Sequence, residues 1–334
     1  MTSVDRNIEL VERANIDELV RHIDRLVAAE EWDALLDVRE RSRRALERGK
    51  QLWPIASLAE YRVALDAPGA WAAHVLTEEH GRFALGPLAE VAASTHTWDE
   101  LEPHLRAGPV AVMFAHERVV RGEDLRGVDL PGPPVLDLPL CLADWEPSYA
   151  RATYTDEGVD APPPVLPDLG SVLPLPRHDA PTVADDPGTV RALRALARAW
   201  VEESNGRSDA VAVEGSAFDA ISALRPIEVR SVALAPALAV ATMAWAAASG
   251  GAHGRRAGAA AGRFEAWWAA AALCGFDDDA TPPPDELGEA ISELSWSRWD
   301  ACEPAAGWEL RLAVEDPAEG LAWAIAATDY SLES

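Results

Sequence analysis

SGGAHGRRAGAAAGRFEAWW, residues 249–268, decides how the C-terminal half of this chain is read. Upstream, Pro236 stands where a helix accepts proline in its first turn, and Leu234, Leu238, Ala241 and Trp245 fall at helical spacing. Gly250 and Gly251 then end that helix, because glycine enters the left-handed conformation of a C-cap without a Cβ clash. Gly254 supplies a second hinge. Downstream, Ala257, Ala261, Phe264 and Trp268 share one stripe of a second helix, and Arg256, Ala260, Arg263 and Trp267 share its neighbour. Two alanine-rich helices joined by a tight glycine turn are predicted.

This turn is also where charge concentrates with the opposite sign to the rest of the chain. The formal net charge is −27, yet residues 191–276 carry 9 basic against 7 acidic side chains, and the turn holds His253, Arg255 and Arg256. A helix start is already electropositive, so cations there call for something negative nearby. Either an anionic ligand or a carboxylate of the protein meets that need. The candidate ligand-binding residues are therefore Gly250, Gly251, His253, Arg255, Arg256, Arg263 and Trp267, with Arg256 and Arg263 about two turns apart on one helical face.

On either side of this helix pair the period changes. WELRLAV at 308–314 alternates cleanly, with Trp308, Leu310, Leu312 and Val314 on one face, so it reads as a strand; LSWSRWD at 294–300 makes a hairpin with it. Asp316, Pro317 and Glu319 read as the start of a closing helix through Leu321, Trp323 and Ile325. Upstream, Asp186 and Pro187 start a helix, AVAVE at 210–214 and EVRSVAL at 228–234 read as strands, and Ser216–Leu224 as a short helix between them. Two β–α steps in a row point to a parallel pair and a small mixed sheet. Trp245, Trp267, Trp268, Trp296, Trp299, Trp308 and Trp323 supply the volume that alanine-rich helices lack, or else an aromatic wall beside the arginines.

Between Gly127 and Val190 lie 13 of the 25 prolines, which read as a connector, residues 127–186. Its many apolar side chains, among them Leu136, Trp145, Tyr149 and Tyr154, favour a strap draped over folded domains. Residues 1–126 read as helix after helix with short loops. Asn15 caps the first strongly amphipathic one, Gly49 ends another, Pro54, Pro68 and Pro109 start three more, and Thr97 with Glu100 forms a capping box. The fold class is α+β, mostly α. It comprises an N-terminal helical bundle or solenoid-like domain (1–126), the connector, and a C-terminal α/β domain (187–334) with Ala/Trp-rich helices.

No complete catalytic motif is present. His116 and Glu117 begin an HE pair, but Val120 stands where a metalloprotease helix needs its second histidine. Ser216 after a strand imitates a nucleophile elbow without the right small residues around it, and Asp277–Asp279 is a helix exit with adjacent, not alternating, carboxylates. Cys141, Cys274 and Cys302 are far apart and form no CxxC, so neither a disulfide framework nor zinc is indicated and a cytoplasmic setting fits; no cofactor is implied. The N-terminus lacks a signal-peptide pattern, and Val232–Ala248 is too weakly apolar for a membrane span. The acidic balance opposes nucleic-acid binding. The expected function is binding of a small anionic ligand or a protein partner. Two alternatives stand beside it: an enzyme handling phosphate or carboxylate with His253, Arg256 and Arg263, and an acidic mimic of nucleic acid.

Overall fold

The computed structural model describes residues 3–77, 85–130, 132–172, 181–276, 281–304 and 307–331. By its internal contacts the chain divides into two units: one of Met1–Val119, Gly127–Val135 and Ala152–Ala161, the other of Val120–Arg126, Leu136–Arg151 and Pro162–Ser334. The proline-rich stretch is thus shared between the two units, and its apolar residues Leu136, Tyr149 and Tyr154 are buried.

The first unit carries α1 (Ser3–Arg13), α2 (Ile16–Ala28), α3 (Trp32–Arg44), α4 (Trp53–Asp66), α5 (Gly69–Val75), α6 (Leu88–Thr95), α7 (Trp98–Leu101) and α8 (Pro109–Val120). Local chemistry sets their ends as the sequence predicts. The Asn15 side chain accepts from the Glu18 amide, and Gly49 takes a left-handed φ of 76° to close the 3-10 extension of α3. Thr97 and Glu100 cap each other's backbone amides at the start of α7. WPIASLAEYRVALD, which forms α4, shows little amphipathic contrast because every residue from Ile55 to Leu65 except Leu58 is buried and the helix packs against α2, α3, α5 and α6. Its charged groups are paired: Arg62 bonds Asp24 and Asp66, and Glu60 holds Arg39. A short antiparallel pair, β1 (Thr153–Tyr154) and β2 (Val159–Asp160), belongs to this unit. The Tyr154 hydroxyl donates to buried Glu90 at 2.7 Å, and its ring passes so close to Gly86 that any Cβ there would collide with it.

The second unit contains α9 (Pro187–Ala195), α10 (Arg198–Glu202), β3 (Arg207–Glu214), α11 (Ala217–Ala223), β4 (Arg230–Ala233), α12 (Pro236–Ala248), α13 (Ala259–Leu273), α14 (Pro284–Glu293), β5 (Ser295–Asp300), β6 (Gly307–Asp316) and β7 (Leu321–Tyr330). Its sheet has the order β3-β7-β6-β5-β4, and every pairing is antiparallel. This corrects the mixed sheet expected from two β–α steps: β3 and β4 do run the same way, but at opposite edges with three strands between them. The expected closing helix is also corrected, because residues 321–330 form β7, the partner of both β6 and β3. Asp316 accepts from the amides of Ala318 and Glu319, and Gly320 takes φ 66°, so the segment turns the chain back as a hairpin.

Alternation along these strands sorts the core into two faces. Val213, Trp299, Ala313, Ala322 and Ala324 meet α11 on one side, while Ala212, Trp296, Leu312, Trp323 and Ile325 meet α9, α12 and α13 on the other. α12 and α13 approach closely because their contact is alanine and glycine: a Cβ on Gly262 would lie 2.3 Å from the Ala244 carbonyl oxygen. Trp200, Trp245 and Trp267 fill the space that such small residues leave. Among the described residues no helix is long and apolar enough to cross a membrane.

Candidate functional site

The glycine turn joins α12 to α13 as predicted, but α13 begins only at Ala259, so Arg255 and Arg256 precede the helix. Gly250 and Gly251 are sterically required there. A Cβ on Gly250 would meet the Gly254 carbonyl, and Gly251, at φ 69°, would drive one into Asp329. Four amides of the turn already have acceptors. Gly251 N–H donates to the Ser249 hydroxyl, Ala252 N–H to buried Asp329 at 2.6 Å, His253 N–H to the Ser204 hydroxyl, and Arg255 N–H to Glu203. The exposed Arg255 side chain pairs with the same Glu203, and Arg256 is half-buried and engaged.

Arg263 points into the unit's interior, with no solvent exposure of its side chain. Its Nε and Nη2 grip both oxygens of Glu146 at 2.7 Å, while Nη1 and Nη2 donate to the carbonyls of Pro139 and Cys141. Trp267 lies under the guanidinium, 5.6 Å from ring centroid to Cζ, and its indole N–H also bonds Glu146. Burial opposes the charge on Glu146. The fork and charge of Arg263, with donors from Tyr149 and Ala143, nevertheless hold its carboxyl below the usual carboxylate range. The expected convergence of His253, Arg256 and Arg263 on one anion is therefore corrected: Ser204 and Glu203 serve the turn, and Glu146 serves Arg263 and Trp267. Of the two partners that the sequence allowed, Arg255 and Arg263 have the carboxylate.

Other candidates resolve into structure as well. Ser216 caps α11 in a reciprocal box with Asp219, which explains its elbow-like position after β3. A cleft lined by Asp186, Cys274, Asp316, Glu319 and Trp323 is acidic, but Asp186 caps α9 and accepts the Trp323 indole N–H, and Asp316 forms the hairpin turn. Burial, then Asp316 and Glu293, push the Cys274 thiol up to about 12, so it stays protonated and unreactive at neutral pH. Among the described residues no group of three or more His, Cys, Asp or Glu is placed to hold a metal. Asp277–Asp279 lies outside the described residues.

A basic cleft lies in the first unit. It has a volume of about 520 Å³ and is lined by Arg39 and Arg43 of α3, His74 and Leu76 at the end of α5, Arg106, and the start of α8 at Gly108–Val110. Arg39 donates through Nε to Glu60 at 2.7 Å, and Arg43 lies 3.6 Å from the same oxygen with its guanidinium over Trp53. Arg106 is exposed and makes no ion pair among the described residues. Partial burial, then the charges of Arg106 and Arg39, hold the His74 pKa below its ordinary value, so its ring is neutral at pH 7. α8 adds a helix start whose flanking Gly108 and Pro109 offer no capping side chain. Sequence reasoning passed over these residues because they are separated by 67 positions and their signal is weak. Arg39 and Arg43 stand four apart in an arginine-rich helix, a spacing that also reads as a solvated face.

Residues 17–331, almost the whole chain, match one family. The chain belongs to DUF6183, a family of unknown function. For this DUF6183 chain no curated protein and no solved structure gives a match.

Proposed function

We propose that the protein works by binding a small ligand that carries an oxyanion, and that the ligand sits in the cleft of Arg39, Arg43, His74 and Arg106. The single observation that carries this reading is the convergence of three guanidinium groups and an imidazole on one cleft in a chain of net charge −27. Guanidinium forks match oxyanions, and a local positive field inside an acidic body concentrates small anions while the body repels polyanions. The ligand class is the one expected from the charge pattern; the place differs from the SGGAHGRR turn, whose amides and arginines have internal partners. A small ligand fits better than nucleic acid, and the free thiols of Cys141, Cys274 and Cys302 suit a reducing, cytoplasmic setting.

Thermal unfolding with and without inorganic phosphate tests this reading. Phosphate at about 100 times its Kd should stabilise the folded state by roughly 2.7 kcal/mol and raise Tm. Arg106→Gln, at an exposed position outside any described ion pair, should remove that rise and leave the ligand-free Tm unchanged. An undiminished rise in this variant, or none in the parent with phosphate or sulfate, would overturn the assignment.

A further inference from the structure

We infer that His22 is an acid-sensitive latch that holds α1 against α2 and α3, and that protonation of its ring releases α1. This latch is separate from the basic cleft and independent of what binds there. Hydrogen-bond chemistry fixes the state of the ring. Asn7, fully buried on α1, donates through Nδ2 to the Ala34 carbonyl at 2.9 Å and to the Asp37 carboxylate at 3.0 Å, both on α3. Those partners only accept, so the amide nitrogen has to face them and Oδ1 has to face His22 Nε2 on α2, 2.7 Å away. An amide oxygen cannot donate, so Nε2 carries the proton and Nδ1 keeps a bare lone pair. His22 is only 5 % exposed, and its Nδ1 is buried without a hydrogen-bond partner. A neutral ring fits this place, because its one N–H has an acceptor. An imidazolium does not fit: its second N–H would be buried without an acceptor and its charge would be removed from water.

The charges around the ring act in the same sense. Burial first, then Arg25 of α2 and Arg6 of α1, hold the His22 pKa below its ordinary value, while Glu31, just before α3, acts the other way. Glu18, one turn earlier on α2, also has a buried oxygen without a partner, so the two side chains do not bond. The other charged groups on α1, α3 and α4, the helices packed against α2, are committed elsewhere. Glu9 pairs with Arg6 and Arg13, Asp37 holds Arg41 as well as Asn7, and Glu40 pairs with Arg44. Asp33 accepts from the Trp71 indole, Glu60 holds Arg39, Arg62 bonds Asp24 and Asp66, and Tyr61 donates to the Thr155 carbonyl; Asp5 and Arg43 are engaged as well. A ring with a depressed folded pKa binds its proton more readily once α1 has left and water reaches it. Docking therefore weakens as pH falls through about 6.5.

α1 can leave without disturbing its neighbour. The Asn15 side chain caps α2 locally, and the link between the two helices is Ala14, whose left-handed φ of 53° strains an alanine and relaxes when the link opens. The remaining polar ties of α1, from Lys50 and Arg48 to Glu12 and from Ser3 to Glu31, lie at exposed positions, where such pairs contribute little. The Lys50 hydrogen bond, first among the causes, holds the Glu12 pKa below its ordinary value, so that tie keeps its charge while His22 titrates. Leu10 and Val11, now buried, would come free with the helix.

Amide hydrogen exchange of the full chain near pH 7.5 and near pH 5.5, normalised to the intrinsic rate at each pH, reads the opening of α1. Protection of residues 5–12 should fall several-fold at the lower pH, toward the limit of about tenfold that an ordinary histidine pKa near 6.5 sets, while α4 keeps its protection. His22→Gln retains an N–H for Asn7 and cannot take up a proton, so its α1 should be equally protected at both pH values. Equal protection in the parent, as when Glu18 accepts the new N–H, would overturn the latch. So would a fall shared by α4, or the same fall in His22→Gln. If His22→Gln does not fold, long-range proton–nitrogen spectra of the parent decide: the expected ring is neutral with its proton on Nε2 near pH 7.5, and a proton on Nδ1 or a charged ring there would overturn the latch.

Discussion

Glu146 receives five donors, from Arg263 Nε and Nη2, the Trp267 indole, the Tyr149 hydroxyl and the Ala143 amide. A buried carboxylate so enclosed depends on its partners more than it adds to stability by itself. Arg263→Met, which keeps the volume but strands the carboxylate, should cost about 3–5 kcal/mol in denaturant unfolding, and adding Glu146→Met should recover much of that loss. The pH dependence has a fixed sign. The folded-state pKa of Glu146 lies below its ordinary value, so its stabilising effect is present above that value and lost as pH falls through the folded pKa. Glu146→Gln should accordingly lower stability at neutral pH and flatten its decline in acid; an unchanged acid limb would show that the pair is not coupled to folding. The sequence made Arg263 legible as a cation in need of an anion. It could not name the anion, because Glu146 lies 117 residues away in a proline-rich segment with no periodic pattern.

Helix starts were the most legible elements, since each is a local bargain between one side chain and an adjacent amide. Asn15, Thr97, Asp186 and Ser216 all cap as their spacing implies. Asp186 has a second role that spacing cannot reveal: its other oxygen accepts the Trp323 indole N–H from β7. Asp186→Ala should therefore cost about 2–3 kcal/mol, more than a simple cap, whereas loss of the same cap in a Trp323→Phe background should cost only about 1 kcal/mol. β7 itself misled for two physical reasons. Asp-Pro-x-Glu chemistry serves a tight turn as well as a helix start, and a strand enclosed by neighbours and buried on both faces loses the alternation that marks a half-exposed one. Gly320→Ala, which puts a side chain at φ 66° in open space, should cost about 1 kcal/mol through the hairpin alone, as a Tm measurement would register.

At the level of the whole chain, composition located the proline-rich segment but not its contacts, which are long-range pairings such as Tyr154 with Glu90 and Tyr61 with the Thr155 carbonyl. A fragment of residues 1–126 lacks both, as well as the 127–135 and 152–161 segments of its unit, and should unfold at lower denaturant than a fragment of residues 1–161. Equal midpoints would mean that these segments contribute little. Limited proteolysis should cut first within residues 162–172, where Val165 is 93 % exposed and the chain forms no helix or strand. The basic cleft, assembled from α3, α5 and the start of α8, is likewise a product of packing; its residues acquire a joint meaning only when the helices come together. Crystals of the full chain soaked in tungstate, a heavy analogue of the phosphate group, would locate the favoured oxyanion position by anomalous scattering. The strongest peak is expected among Arg39, Arg43, His74 and Arg106; a peak at the SGGAHGRR turn instead, or a cleft left empty, would contradict the assignment.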